Sequence, residues 1–219
     1  MRRTLLILTA VAVMVLGFGK PSQATLMLNL FDGSTSVTLS DPGSTGMLSF
    51  SGSIGQFLLN VTTGISKPLL GSSLQPEMDL NSVNLANPAG SGGTLIISLT
   101  DTDFIGGGTT ATALNKIGGT LGGPLSVDTF MDCSNAAFGQ GTPLTHQAFS
   151  GSPFSGTGIA TVAACGGHFS LTQVVTLSLG AGGITSFDSE LKIPEPATLV
   201  LLGAGILGLA ATARRRRLA

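Results

Sequence analysis

The chain has no tryptophan and no tyrosine, only two cysteines and two histidines, and charged residues at just 10% of its 219 positions. Each scarcity narrows the range of functions. Sugar-binding sites commonly stack rings on Trp and Tyr, so their absence weakens a lectin reading. With only His146 and His168 as imidazole bases, a nucleophile–base pair has few ways to be assembled. Each histidine reads instead as a surface or turn residue. The hydrolase elbow G-x-S-x-G, the zinc-protease H-E-x-x-H and the phosphate-binding P-loop are all missing. Neither Cys-x₂-Cys nor His-x₃-His spacing is present, so no zinc site is read. No catalytic residue, cofactor or metal site is assigned.

Basic residues are scarce where they would matter most. The net charge is −1, but that balance is set by the two ends. Arg2, Arg3 and Lys20 lie at one end, and Arg214, Arg215, Arg216 and Arg217 at the other. Between them stand only Lys67, Lys116 and Lys192, against ten carboxylates from Asp32 to Glu190. So acidic a body argues against nucleic-acid binding, which draws most of its affinity from Lys and Arg neutralising phosphates. It suits a soluble exported protein.

The ends have their own logic. Arg2 and Arg3 precede an apolar run over residues 5–18, and Ser22-Gln23-Ala24 places small residues at −3 and −1 of a cleavage site. This predicts a secretory signal peptide over residues 1–24, removed after Ala24. At the other end, Gly203, Gly205 and Gly208 fit the dinucleotide fingerprint G-x-G-x-x-G. That motif requires a following strand and an acidic residue about 20 positions on. No acidic residue follows Gly208, so the cofactor reading fails. Residues 197–213 carry no charge, and as a helix they would span about 25 Å. A transmembrane helix is predicted here. The arginines at 214–217 would hold its end in the cytoplasm under the positive-inside rule.

The body, residues 25–192, shows alternation of period two. Leu26, Leu28 and Leu30 share a side, as do Val37 and Leu39, then Phe57, Leu59 and Val61, and Leu95, Ile97 and Leu99. Phe169, Leu171, Val175, Leu177 and Leu179 follow, with Gln173 interrupting that face. The positions between are mostly Ser, Thr, Asn and Gln, the pattern of antiparallel sheets with one face toward solvent. Asp41-Pro42-Gly43, Asn87-Pro88-Ala89-Gly90, Gly106-Gly107-Gly108 and Gly118-Gly119 mark turns. Gly182-Gly183 would turn a final hairpin into residues 184–191. The expected fold is all-β: a single antiparallel β-sandwich-like domain, flanked by the N-terminal signal helix and the C-terminal transmembrane helix. Export exposes Cys133 and Cys165 to an oxidising compartment, and an even count predicts that they pair.

The tail resembles a known signal. Pro194-Glu195-Pro196, then the apolar stretch, then Arg214 to Arg217 is similar, in order and distance from the end, to the PEP-CTERM sorting signal. The resemblance covers residues 193–219. It implies an exported bacterial protein processed by an exosortase-type membrane enzyme, with Pro194, Glu195 and Pro196 as the recognition element. It further implies a transient membrane anchor, then a cell-surface or extracellular location, often with exopolysaccharide or biofilm matrix as partner. The two prolines fix φ and remove two donors, which keeps the motif extended. A structural matrix role is the expected function. The alternative is a secreted enzyme, or a carbohydrate- or calcium-binding sandwich. For calcium, Asp101 and Asp103 with Asp79 and Asn81 are the candidate oxygen ligands.

Overall fold

The computed structural model describes residues 25–88 and 91–194. The expected signal helix, the apolar stretch 197–213 and the basic end lie outside these residues. Among the described residues no helix is long and apolar enough to cross a membrane.

The described chain is all-β. Its twelve strands are β1 (Met27–Phe31), β2 (Ser36–Ser40), β3 (Met47–Ile54), β4 (Phe57–Ile65), β5 (Glu77–Ala86) and β6 (Gly93–Ile105), followed by β7 (Thr110–Thr120), β8 (Leu125–Asp132), β9 (Thr142–Phe149), β10 (Phe154–Ala163), β11 (His168–Leu179) and β12 (Ile184–Lys192). They form two six-stranded antiparallel sheets. Sheet A has the order β2-β1-β6-β11-β8-β9, and sheet B the order β10-β7-β12-β5-β4-β3.

The alternation read from the sequence is what closes the sheets on each other. Leu28 and Leu30 of β1, Leu95, Ile97 and Leu99 of β6, and Leu171, Val175 and Leu177 of β11 turn one way into the core. Phe57 and Leu59 of β4, Met78 and Leu80 of β5, and Phe187 and Leu191 of β12 meet them from sheet B. Val37 and Leu39 pack partly buried at the edge of this cluster.

Three details differ from expectation. First, Gly182 does turn the chain, but β11 and β12 lie in opposite sheets, so no hairpin forms there. β12 instead pairs with β5 and β7. Period-two patterning says that a strand has a buried face, not which sheet it joins. Second, Gly118 and Gly119 lie inside β7 rather than at a turn. A Cβ on Gly119 would sit 2.1 Å from the Ser186 carbonyl oxygen, beside the register shift between Thr185 and Phe187 of β12. The glycine permits close approach of two backbones at an irregular pairing. Third, the outer face of sheet A is not uniformly wet. Thr100, Ser170 and Thr172 are fully buried under the segment 133–141. The Phe138 N–H donates to Thr100 Oγ1 at 3.1 Å, and Ser170 Oγ donates to the Ala136 carbonyl at 2.6 Å.

Gln173 keeps the inward direction of its strand and is fully buried. Its Nε2 donates to the Met78 carbonyl at 3.2 Å, and its Oε1 accepts from Ser189 Oγ at 2.8 Å. Asn115 of β7 donates to Ser189 Oγ, and Gln147 of β9 donates to Asn115 Oδ1. A chain of amides and a hydroxyl thus crosses the interior between the sheets. Satisfied in this way, the buried polar groups avoid the desolvation penalty of unpaired ones.

Candidate functional site at the C-terminal exit

The chain leaves the sandwich from the middle of a sheet. β12 is flanked by β7 and β5, and its last backbone contact holds the exit: the Ile193 N–H donates to the Pro76 carbonyl at 2.9 Å. Ile193 is buried, whereas Pro194 is exposed. Pro194 therefore emerges one residue after the strand ends. Glu195 and Pro196 lie outside the described residues. Beside the exit lies an apolar groove of about 310 Å³, lined by Leu74, Pro76, Ile105, Phe169, Ile193 and Pro194 among others.

Cys165 also borders this groove. The connection after β8 and the β10–β11 connection bring Cys133 and Cys165 to disulfide-bonding distance, with Cα atoms 5.3 Å apart.

A carboxylate-rich strip runs along the outer face of sheet B toward the exit. The β5–β12 register sets Glu190 opposite Asp79, and Lys192 opposite Glu77. Lys192 Nζ donates to Glu190 Oε1 at 2.7 Å, which holds the Glu190 carboxyl below its usual range. Burial, reinforced by Glu190, pushes Glu77 up. Burial and then the neighbouring Asp188 push Asp79 up to about 7. Like charges this close favour retention of a proton.

The remaining sequence candidates are dispersed. His146 Nδ1 lies 2.7 Å from Asp128 Oδ1, and His168 Nδ1 lies 3.1 Å from Asp103 Oδ1, both imidazoles more than half exposed. Neither ring is hydrogen-bonded to a hydroxyl or thiol among the described residues. The four oxygen ligands considered for calcium are not brought together. Asp79 and Asn81 face outward on sheet B, Asp103 meets Asn135 and His168, and Asp101 is buried against Lys67. That last pair escaped sequence reasoning. Its partners are 34 positions apart, and no local pattern marks a lysine for burial.

The PEP-CTERM protein-sorting motif family matches residues 192–217. The chain carries a PEP-CTERM protein-sorting motif. This motif marks a protein exported, processed by an exosortase-type membrane enzyme and displayed at the surface, a substrate rather than the processing enzyme itself. Its first residues, Lys192 to Pro194, are the end of β12 and the exit just described.

No curated protein matches the sequence. Among solved structures, the chain is similar to YcfD, a ribosomal oxygenase from Escherichia coli (11% identity, 94% of this chain and 48% of that one, TM-score 0.29). It is also similar to the enzymatically active domain of tailspike protein 4 of bacteriophage CBA120 (11% identity, 79% of this chain and 20% of that one, TM-score 0.31). A third is CBM35 from Paenibacillus barcinonensis (12% identity, 76% of this chain and 98% of that one, TM-score 0.25). The chain spans about half the length of the oxygenase it matches. Likenesses at these TM-scores carry no argument about activity.

Proposed function

We propose that this chain is a structural protein of the bacterial surface or extracellular matrix, held at the membrane until its tail is processed. In this reading residues 1–24 are a cleaved signal peptide, 25–192 the β-sandwich body, and 193–219 the sorting signal. Pro194, Glu195 and Pro196 are the element that the exosortase-type enzyme grips. Residues 197–213 anchor the precursor in the inner membrane, and Arg214, Arg215, Arg216 and Arg217 stop it there. Cys133 and Cys165 are bonded in the exported form, and exopolysaccharide of a biofilm is the partner.

The observation that carries this is the motif match over residues 192–217. The exit geometry supports it: Pro194 is exposed one residue beyond β12, next to Ile193, which is bonded to the Pro76 carbonyl, so the motif begins at a fixed place on the body. Two prolines at 194 and 196 oppose helix or ladder formation across the motif, leaving an extended segment for an enzyme to bind. The exopolysaccharide association rests on the family resemblance alone.

The test replaces Pro194, Glu195 and Pro196 with alanine. Export should continue while the protein accumulates in the membrane fraction, with the full tail present by mass spectrometry. Release to the medium as efficient as that of the parent would refute the sorting role. Co-sedimentation of the parent's released form with purified exopolysaccharide tests the matrix partner separately.

A further inference from the structure

Two buried charges of opposite sign in the described body play no part in the sorting reading. Lys67 follows β4 and Asp101 lies in β6, so the pair joins sheet B to sheet A. Lys67 Nζ stands 2.9 Å from Asp101 Oδ2, with side-chain exposures of 7% and 0%. Nζ also donates to the Thr102 carbonyl and lies 3.7 Å from the centre of the Phe104 ring. Asp101 is held at both oxygens. The Thr102 N–H donates to Oδ1 at 2.8 Å, and Ser66 Oγ donates to Oδ2 at 2.7 Å.

We propose that Lys67 and Asp101 condense to an intramolecular amide, a covalent cross-link between the two sheets. The geometry supplies each requirement of that chemistry. An amine and a carboxyl are held in contact, with Nζ 2.9 Å from Oδ2, one bond from the carbon to be attacked, and holding two reacting groups together removes most of the entropic cost of their encounter. The Thr102 N–H points at Oδ1, where negative charge develops as the carbon becomes tetrahedral. Ser66 touches Oδ2, the oxygen that must leave, and is placed to relay a proton to it. Burial holds Lys67 below the usual lysine range and pushes Asp101 above the usual carboxylate range. Both directions favour passing a proton from ammonium to carboxylate, giving the free amine that acts as nucleophile.

The step balances without any co-reactant. The Nζ lone pair forms a C–N bond to Asp101 Cγ, and the Cγ–Oδ2 bond breaks. Oδ2 departs as water, carrying the proton of the carboxylic acid and one proton from Nζ. Phe104 and the surrounding core limit the water available for the reverse reaction.

This inference is independent of how the tail is sorted. The test is the intact mass of the full chain and of its exported form, reduced and alkylated so that the cysteines do not contribute. Each should be lighter by one water than its sequence requires. After proteolysis, the peptides holding Lys67 and Asp101 should be recovered as one branched species. The variant Lys67→Arg keeps the charge pair but should have full mass. Ser66→Ala should lower the cross-linked fraction, and an unchanged fraction would remove Ser66 as the relay. A parent protein of full mass, with the two peptides recovered separately, overturns the proposal. So does a water loss that persists in Lys67→Arg. If the arginine variant does not fold, the parent digest alone decides.

Discussion

Ser189 of β12 donates its hydroxyl to the Gln173 side chain of β11, at 2.8 Å across the core between the sheets. Both residues are fully buried. Replacing Gln173 with leucine preserves the approximate volume but leaves the Ser189 hydroxyl hydrogen without its acceptor and takes a donor from the Met78 carbonyl. Leaving buried groups unsatisfied costs about 1–3 kcal/mol, so urea unfolding of Gln173→Leu should show a loss of that order. Adding Ser189→Ala should recover part of it. If the single variant is as stable as the parent, the bridge contributes nothing net.

The two glycines of β7 should respond differently. A Cβ on Gly118 would meet nothing closer than the Phe154 carbonyl at 3.4 Å, whereas one on Gly119 would lie 2.1 Å from the Ser186 carbonyl. Gly119→Ala forces two backbones apart and should cost about 1–3 kcal/mol, as overpacking does. Gly118→Ala should change little. Equal stability of the two variants by thermal unfolding would count against the close approach.

How much of this was legible in the sequence follows from what each signal encodes. The inward leucines of β1, β6 and β11 were visible because a strand buries alternate residues whatever its partner. The same alternation is silent on partner choice, which is why Gly182-Gly183 suggested a hairpin where the chain changes sheet. Gln173 was visible as an exception but not explicable, since Met78 and Ser189 reach it only after both sheets have formed. Asp101 stood out only as a candidate calcium ligand, and its pairing with Lys67 gave no signal, for the same reason. The sorting motif was legible because its recognition elements are contiguous in the chain.

Asp79 makes stability depend on pH. Its carboxyl is pushed up to about 7, by burial and then by Asp188, against about 3.9 in an unfolded chain. A raised folded value means the folded state binds more protons between those limits, so stability falls as pH rises through that window. Below it no penalty exists, and above it the penalty is constant. The face is partly open to solvent, so a contribution on the order of 1 kcal/mol is expected. Asp79→Asn should unfold at a higher urea concentration than the parent at about pH 8, with the difference shrinking by about pH 5. Parallel curves for the two proteins would reject this.

Cys133 and Cys165 close a loop with a sequence separation of 32. Chain-entropy arguments give about 3–4 kcal/mol for a cross-link of that length. The double variant Cys133→Ser, Cys165→Ser should lose stability of this order. Non-reducing peptide mapping of the exported protein should recover the two cysteines joined. Free thiols at both positions would contradict the pairing.

The basic end and the motif should fail in opposite ways. An arginine at the bilayer centre costs about 2.5–3.5 kcal/mol on the insertion scale, so four in succession oppose passage of the tail through the membrane. In the proposed arrangement residues 197–213 are short for a span and carry Gly203, Gly205 and Gly208, and the arginines would then be the stronger part of the stop. Replacing Arg214, Arg215, Arg216 and Arg217 with serine should let part of the precursor slip through before processing. The medium would then contain protein still carrying Pro194-Glu195-Pro196 and the apolar segment, identified by its C-terminal peptides. The alanine variant of the motif retains the arginines, and should instead collect in the membrane. If the serine variant is retained and processed like the parent, the arginines are not the stop, and the apolar segment alone holds the precursor.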